Sequence, residues 1–268
     1  MAEKMRARTR ANQNSREYWS QREAKQLKNN IKDELEYNRQ IKQIYDDMMV
    51  DIQKHIDGFY HKCAGKEGIT LAEVKKRVAK LDIDAYGRKA KKYVKNHTLT
   101  PQANEEMRLY NLTMKVNRLE LLKANIGLEL VDGFQDINDL FNDKLTNRTI
   151  AELKRQSGIL GMTTEQVSEK TAKSIVNASF HNAHFSDRIW MYQDMLKNEL
   201  HSELQRGLIQ GLSSQELARH IQKRFGVSTY NAQRLMQTEL ARVQSDAQQR
   251  SYKKYGYDQY EFIAEPTA

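Results

Sequence analysis

The residues that could do chemistry are few and badly spaced for it. Gly58 and Gly65-Lys66 come nearest to a phosphate-binding loop, but six residues separate the glycines. Such a loop needs four, with Ser or Thr where Glu67 stands. His181 and His184 are three apart and could share a helix face as metal ligands, with Asp187 close by. Zinc needs two more strong ligands, and no local Cys or His supplies them. The pair reads as polar residues at a helix junction. His61 and Cys63 could form a base and a nucleophile. Two apart on a helix they face different ways, and on a loop nothing orients the base. Cys63 is the sole cysteine, which excludes an internal disulfide and a multi-cysteine metal site. No catalytic residue, metal ligand set or cofactor is therefore assigned, and the chain reads as non-enzymatic.

Cations are the more informative residues. The net charge is +9 over 268 residues, and it is uneven. Residues 1–30 hold 8 Lys/Arg against 3 Glu, and residues 74–96 hold 9 Lys/Arg against 2 Asp. The remainder is 9 − 5 − 7 = −3. Clusters of this kind attract polyanions through steering and counterion release. Lys75, Lys76, Arg77, Lys80, Arg88, Lys89, Lys91 and Lys92 are the candidate nucleic-acid contacts. They would meet double-stranded DNA at its phosphates without reading sequence.

Long helices must position these residues. The chain has 12 Gly and 2 Pro, the main punctuation between elements. A hydrophobic share of 39% is below the roughly 45–50% of globular domains. The expected fold is mainly α: long amphipathic helices and helical hairpins, extended, with a short β-strand at the C-terminus. Residues 1–13 are polar and basic without periodicity and read as a disordered arm. From Asn14-Ser15 a helix runs to about Phe59 on a stripe of Leu27, Ile31, Leu35, Ile41, Tyr45, Met48, Ile52 and Ile56. It should break near Asn29-Asn30 or project.

His61–Gly68 reads as a loop. Thr70–Lys80 and Asp84–Lys95 are short basic helices, the first opened by a capping box. After Thr100-Pro101 the clearest helical face follows: Leu119, Leu122, Ile126, Leu130, Phe134, Ile137, Phe141 and Leu145, with Gly127 and Gly133 as weak points. Gly158 and Gly161 mark a boundary between an N-terminal region, 14–160, and a C-terminal one, 161–256. Thr163 or Thr164 should cap a helix to Phe180, and Ser186 the next, ended by Gly211. Ser213 or Ser214 should start a helix to Phe225. After Gly226, Ser228 should cap the last helix, which ends near Tyr255 before Gly256. Tyr257–Ala264 alternates like the start of a strand.

The stretch from Gln215 through Ser228 is similar to a helix-turn-helix. Ala218 and Gly226 are eight apart, which is too long for the compact corner. A plain helical hairpin is expected, and a DNA-binding regulator using residues 213–250 is the alternative function. Trp19, Leu27, Ile31 and Trp190 are the candidate partner-binding residues, because surplus apolar stripes want partner helices. The longest apolar run falls far short of the roughly 20 residues of a membrane span.

The C-terminal third is more specific. Ser186-Asp-Arg-Ile-Trp190, Leu204-Gln-Arg-Gly-Leu-Ile-Gln-Gly211, Arg234-Leu-Met-Gln-Thr-Glu-Leu-Ala-Arg242 and Tyr252-Lys-Lys-Tyr-Gly256 occur in order. This order resembles the minor head proteins of tailed phages, the Mu F-like head-morphogenesis family. Thr238, Glu239 and Arg242 carry the most recognisable part. Glu17-Tyr-Trp-Ser-Gln-Arg22 is similar to the opening of versions from phages of Gram-positive hosts. The resemblance implies a virion protein of the phage head interior, assembled in the host cytoplasm. Its implied partners are the portal protein, other head proteins or a second copy of the chain, and the packaged DNA. Members usually continue into a cysteine-containing β-rich segment. This sequence stops at Ala268, so residues 257–268 are expected to begin a truncated β segment.

Overall fold

The computed structural model describes residues 2–64, 88, 101–102, 118–161, 168–257 and 259. The described residues are mainly α, in five helices: α1 Ala2–Ala64, α2 Arg118–Ile159, α3 Glu169–Val176, α4 Phe185–Gln210 and α5 Ser214–Lys254. The expected basic helices at 70–80 and 84–95 lie outside the described residues, Arg88 excepted. So does most of the expected strand. Tyr257 and Gln259 are described and belong to no strand.

Paired residues fix the directions. His55 meets Glu129, Asp33 meets Arg148 and Glu23 meets Arg155, so α1 and α2 are antiparallel. Asn30 meets Gln244, and Tyr45 meets Ser228, so α1 also runs against α5. Arg188 meets Glu239 and Glu203 meets Arg224, which sets α4 against α5. Phe141 stacks on Phe185, 18 residues further along α2 than Lys123, which meets His201. These contacts set α4 against α2. The four long helices form an up-down-up-down bundle, with α2 and α5 in contact across its centre and α3 packed on both.

Helix α2 lies at the core because it is apolar on more than one face. Its whole expected stripe from Leu119 to Leu145 is buried, and Leu128, Val131 and Leu153 are buried beside it. The helix runs unbroken through Gly127 and Gly133. A Cβ on Gly133 would lie 2.1 Å from the Met48 Sδ, so the missing side chain is what lets α1 approach α2 there. Tyr45 ties three helices together. Its ring stands edge-on to Phe134 and Phe225, and its hydroxyl lies 3.1 Å from the Ser228 Oγ. Burial pushes its phenol above the ordinary range.

Several expected boundaries differ. Helix α1 starts at Ala2, taking in residues 2–13 that composition suggested were an arm without structure, and it does not break at Asn29-Asn30. Asn30 is buried, accepts from the Gln26 amide at 2.9 Å and donates to the Gln244 side chain at 3.2 Å. Those bonds answer the polar group that makes Asn a poor helix interior residue. The α1 stripe also shifts phase. Leu35 to Ile41 is a step of six, which no helical face allows. The face turned inward runs through Asn30, Glu34, Tyr37 and Ile41, so Ile31 and Leu35 are left exposed at 46% and 54%.

Two other starts move. Helix α3 begins after Ser168, whose Oγ accepts from the Thr171 N–H, and ends at Val176 short of Phe180. Helix α4 begins at Phe185, and the Asp187 carboxylate accepts from the His184 N–H at 2.9 Å, so His184 and not Ser186 holds the cap position. Gly211 ends α4 in the left-handed region at φ 71°, and Ser213 with Glu216 makes a capping box for α5. The largest correction is α5 itself, which runs without a turn through Gly226 and Ser228. The expected hairpin at 221–228 is absent, and with it the corner that a helix-turn-helix reading of 213–250 needs.

Candidate functional site

Glu239 is the centre of the most elaborate buried polar site. It lies on the inner face of α5 with its side chain 1% exposed. The Arg242 Nε donates to one carboxylate oxygen at 2.6 Å, and the Arg188 Nη1 donates to the other at 3.0 Å. Arg242, one turn along α5, also reaches α3. Its Nη1 donates to the Ile175 carbonyl at 3.0 Å and its Nη2 to the Val176 carbonyl at 2.9 Å. These are among the last carbonyls of α3, beyond the reach of its own i→i−4 ladder, and the Ile175 carbonyl also accepts from the Ala178 N–H at 3.2 Å. Arg188 on α4 donates to the Phe180 carbonyl and stacks over the Phe180 ring. Asp246 completes the set by accepting from Arg242 at 3.2 Å.

The planar guanidinium fork explains why arginine stands at both positions. One Arg242 satisfies a carboxylate and two carbonyls at once, which a lysine point charge cannot do. The chemistry available here is structural. Both carboxylate oxygens of Glu239 are taken by guanidinium groups. The network clamps α3 and the α3–α4 connection onto α5. That connection is a tight turn, with Phe180 bridged to Ala183 and positive φ at His181 and Asn182. His181 therefore sits on the exposed tip of a turn and His184 at a helix start, so the two do not share a helix face. Among the described residues no group of three or more His, Cys, Asp or Glu could hold a metal ion.

Of the family-motif residues, Glu239 and Arg242 belong to this clamp and Thr238 does not. Thr238 is exposed and donates back to the Arg234 carbonyl of its own helix at 2.9 Å. Arg188 was legible only as a member of the Ser186–Trp190 segment. Its pairing with Glu239, 51 residues away, carries no local signal.

Two further clusters brace the bundle. Glu152 on α2 is buried. It accepts from Arg155, from Gln156 at 2.7 Å and from Gln248 of α5 at 2.8 Å. Burial alone would raise its carboxyl, but the Arg155 hydrogen bond and charge overcome this and hold it below the usual carboxylate range. Glu203 on α4 accepts from Arg224 of α5 at 2.9 Å, and that hydrogen bond is the main cause holding its carboxyl low. His201, on α4, is mostly buried beside Lys123 and Lys197. Burial first, then those two charges, push its imidazole down to about 4.

The candidate surfaces are distributed unequally. Among the candidate DNA-contacting cations only Arg88 is described, and it is exposed. Lys75, Lys76, Arg77, Lys80, Lys89, Lys91 and Lys92 lie outside the described residues. Ala64 and Arg118, between which these residues fall in sequence, both lie at the end that bears the α4–α5 turn. The Tyr60 hydroxyl donates to the Leu212 carbonyl there at 2.8 Å. Of the partner-binding candidates, Ile31 is exposed, Trp19 and Leu27 are half-buried, and Trp190 packs against the core. Among the described residues no helix is long and apolar enough to cross a membrane. Comparison with protein-family models, with curated proteins and with solved structures finds no match to this chain.

Proposed function

We propose that this chain is a non-enzymatic minor head protein of a tailed phage, associated with the portal vertex. It would aid procapsid assembly and genome packaging or ejection, and contact the packaged DNA without sequence preference. The observation that carries this reading is the ordered set of segments 186–190, 204–211, 234–242 and 252–256. Each has a structural task that supports treating them as one unit. Arg188 of the first and Glu239 and Arg242 of the third meet in the clamp. The second carries Gly207, where an added Cβ would come within 3.0 Å of Leu217, and the turn residue Gly211. The fourth closes α5, with the Tyr257 N–H donating to the Tyr252 carbonyl at 2.9 Å and Gly256 at φ 78°.

Two surfaces suit an assembly role. Ile31 and Leu35 lie four apart on α1 and form an exposed apolar edge that the bundle leaves uncovered. The basic stretch 74–96 falls between α1 and α2 in sequence. A pull-down against the portal protein of the same virus tests the partner assignment. Capture by the wild-type chain and its loss in Ile31→Asp/Leu35→Asp is the expected result, and no capture by the wild-type chain overturns the reading.

A further inference from the structure

A second group of cations gathers at the opposite end of the bundle, where α1 runs past its neighbours. Helix α3 presents Lys170 there, and the last turns of α5 present Arg250, Lys253 and Lys254, all exposed. The Arg250 Nη2 lies 3.5 Å from the Ser174 Oγ, so the two helices offer these cations side by side. The antiparallel pairing of α1 with α5, set by Asn30 with Gln244, carries Arg22 level with the last turn of α5. Among the described acidic groups at this end, Glu169 pairs with Lys173 at 2.7 Å, Asp246 with Arg242 at 3.2 Å and Glu23 with Arg155 at 2.6 Å. Before Arg22, residues 1–17 add five Lys/Arg against two Glu.

We infer that this end of the bundle is a second nucleic-acid surface, separate from residues 74–96, which grips the phosphates of duplex DNA without reading its bases. The choice of phosphate over an acidic protein follows from what lies between the cations. Ser174, Asn177 and Gln249, all exposed and polar, lie between the cations of α3 and α5. Side chains of this kind donate to phosphate oxygens, and phosphate contact otherwise needs only long cationic side chains. The cations of this surface lie at the C-terminal end of α5, whereas Ala64 and Arg118, between which residues 74–96 fall in sequence, lie at the end of the bundle that bears the α4–α5 turn. The inference rests on the DNA-contact part of the proposed function and adds where a second contact is made.

The test uses the full chain, because Asp258, Glu261 and Glu265 follow α5 in sequence. Binding to a mixed-sequence DNA duplex is measured by fluorescence anisotropy across a salt series. Each phosphate contact removed lowers the slope of log affinity against log salt by roughly 0.9. Lys170→Gln/Arg250→Gln/Lys253→Gln/Lys254→Gln is expected to lose about 2–4 in slope, with an unchanged melting temperature. A variant that keeps the wild-type slope and affinity overturns the inference. Lys75→Gln/Lys76→Gln/Lys91→Gln/Lys92→Gln, run in parallel, reports on the other surface alone. Loss of binding only in this second variant removes the new surface and leaves the proposed function standing. Loss only in the first removes residues 74–96 and keeps the new surface. No binding by the wild-type chain at low salt overturns both. Displacement of the duplex by polyglutamate at equal charge concentration would overturn the assignment to nucleic acid.

Discussion

Glu239 balances two guanidinium groups in a site closed to water, and removing its charge leaves both without a full partner. Glu239→Gln keeps the shape and is expected to destabilise the fold by about 3 kcal/mol, the scale for breaking a buried ion pair. Urea unfolding measures this, and a loss within experimental error would contradict the clamp. Arg242→Lys keeps a charge but loses the fork. Hydrogen exchange should then quicken at residues 169–184, because the Ile175 and Val176 carbonyls lose their donor. His201 gives a second prediction at this scale. Its folded value of about 4 lies below the ordinary 6.5, so between these values the unfolded chain binds more protons. The stability it contributes is full above about pH 6.5 and is lost as pH falls toward 4, by up to about 3 kcal/mol. His201→Gln should flatten melting temperature against pH in that window. At this scale the sequence was only partly legible. Glu239 and Arg242 stood out by their order among other segments, but a carboxylate that pairs 51 residues away announces itself only in three dimensions.

Helices were more legible than single residues, because a buried face must repeat at three- and four-residue steps. The α2 stripe from Leu119 to Leu145 is buried at every expected position. The length of α1 called for a break near Asn29-Asn30 or a projecting helix, and the second holds: Gln26 and Gln244 satisfy Asn30 within an unbroken helix. Errors came where one signal was read alone. Gly226 suggested a turn, yet it lies inside α5 with no atom within 4 Å of an added Cβ. Gly226→Ala should therefore raise stability by roughly 0.5–1 kcal/mol. A loss of stability would mean that a turn interrupts α5. Gly133→Ala should do the reverse, costing about 1–3 kcal/mol through its clash with Met48. In a Met48→Ala background the same substitution should cost little, and a double-mutant cycle measures that coupling.

At the scale of the whole molecule, the four long helices close into one bundle with its own core, more self-sufficient than the scarcity of Gly and Pro and the low hydrophobic share suggested. Exposed apolar side chains, the Ile31–Leu35 edge of α1 among them, and the cations at the C-terminal end of α5 remain open to a partner. The exposed edge was hidden in the sequence, because Ile31 and Leu35 read as members of the core stripe until the six-residue step before Ile41 is taken as a change of face. An exposed apolar edge and exposed cations are what the proposed assembly role calls for. The most direct test is incorporation. The chain is expressed with the portal and major head proteins of the same virus, and assembled procapsids are purified and analysed by mass spectrometry. The proposed role predicts that the wild-type chain is present in the particles in few copies, and that Ile31→Asp/Leu35→Asp is depleted from them. Procapsids that form normally and contain none of the wild-type chain would contradict it.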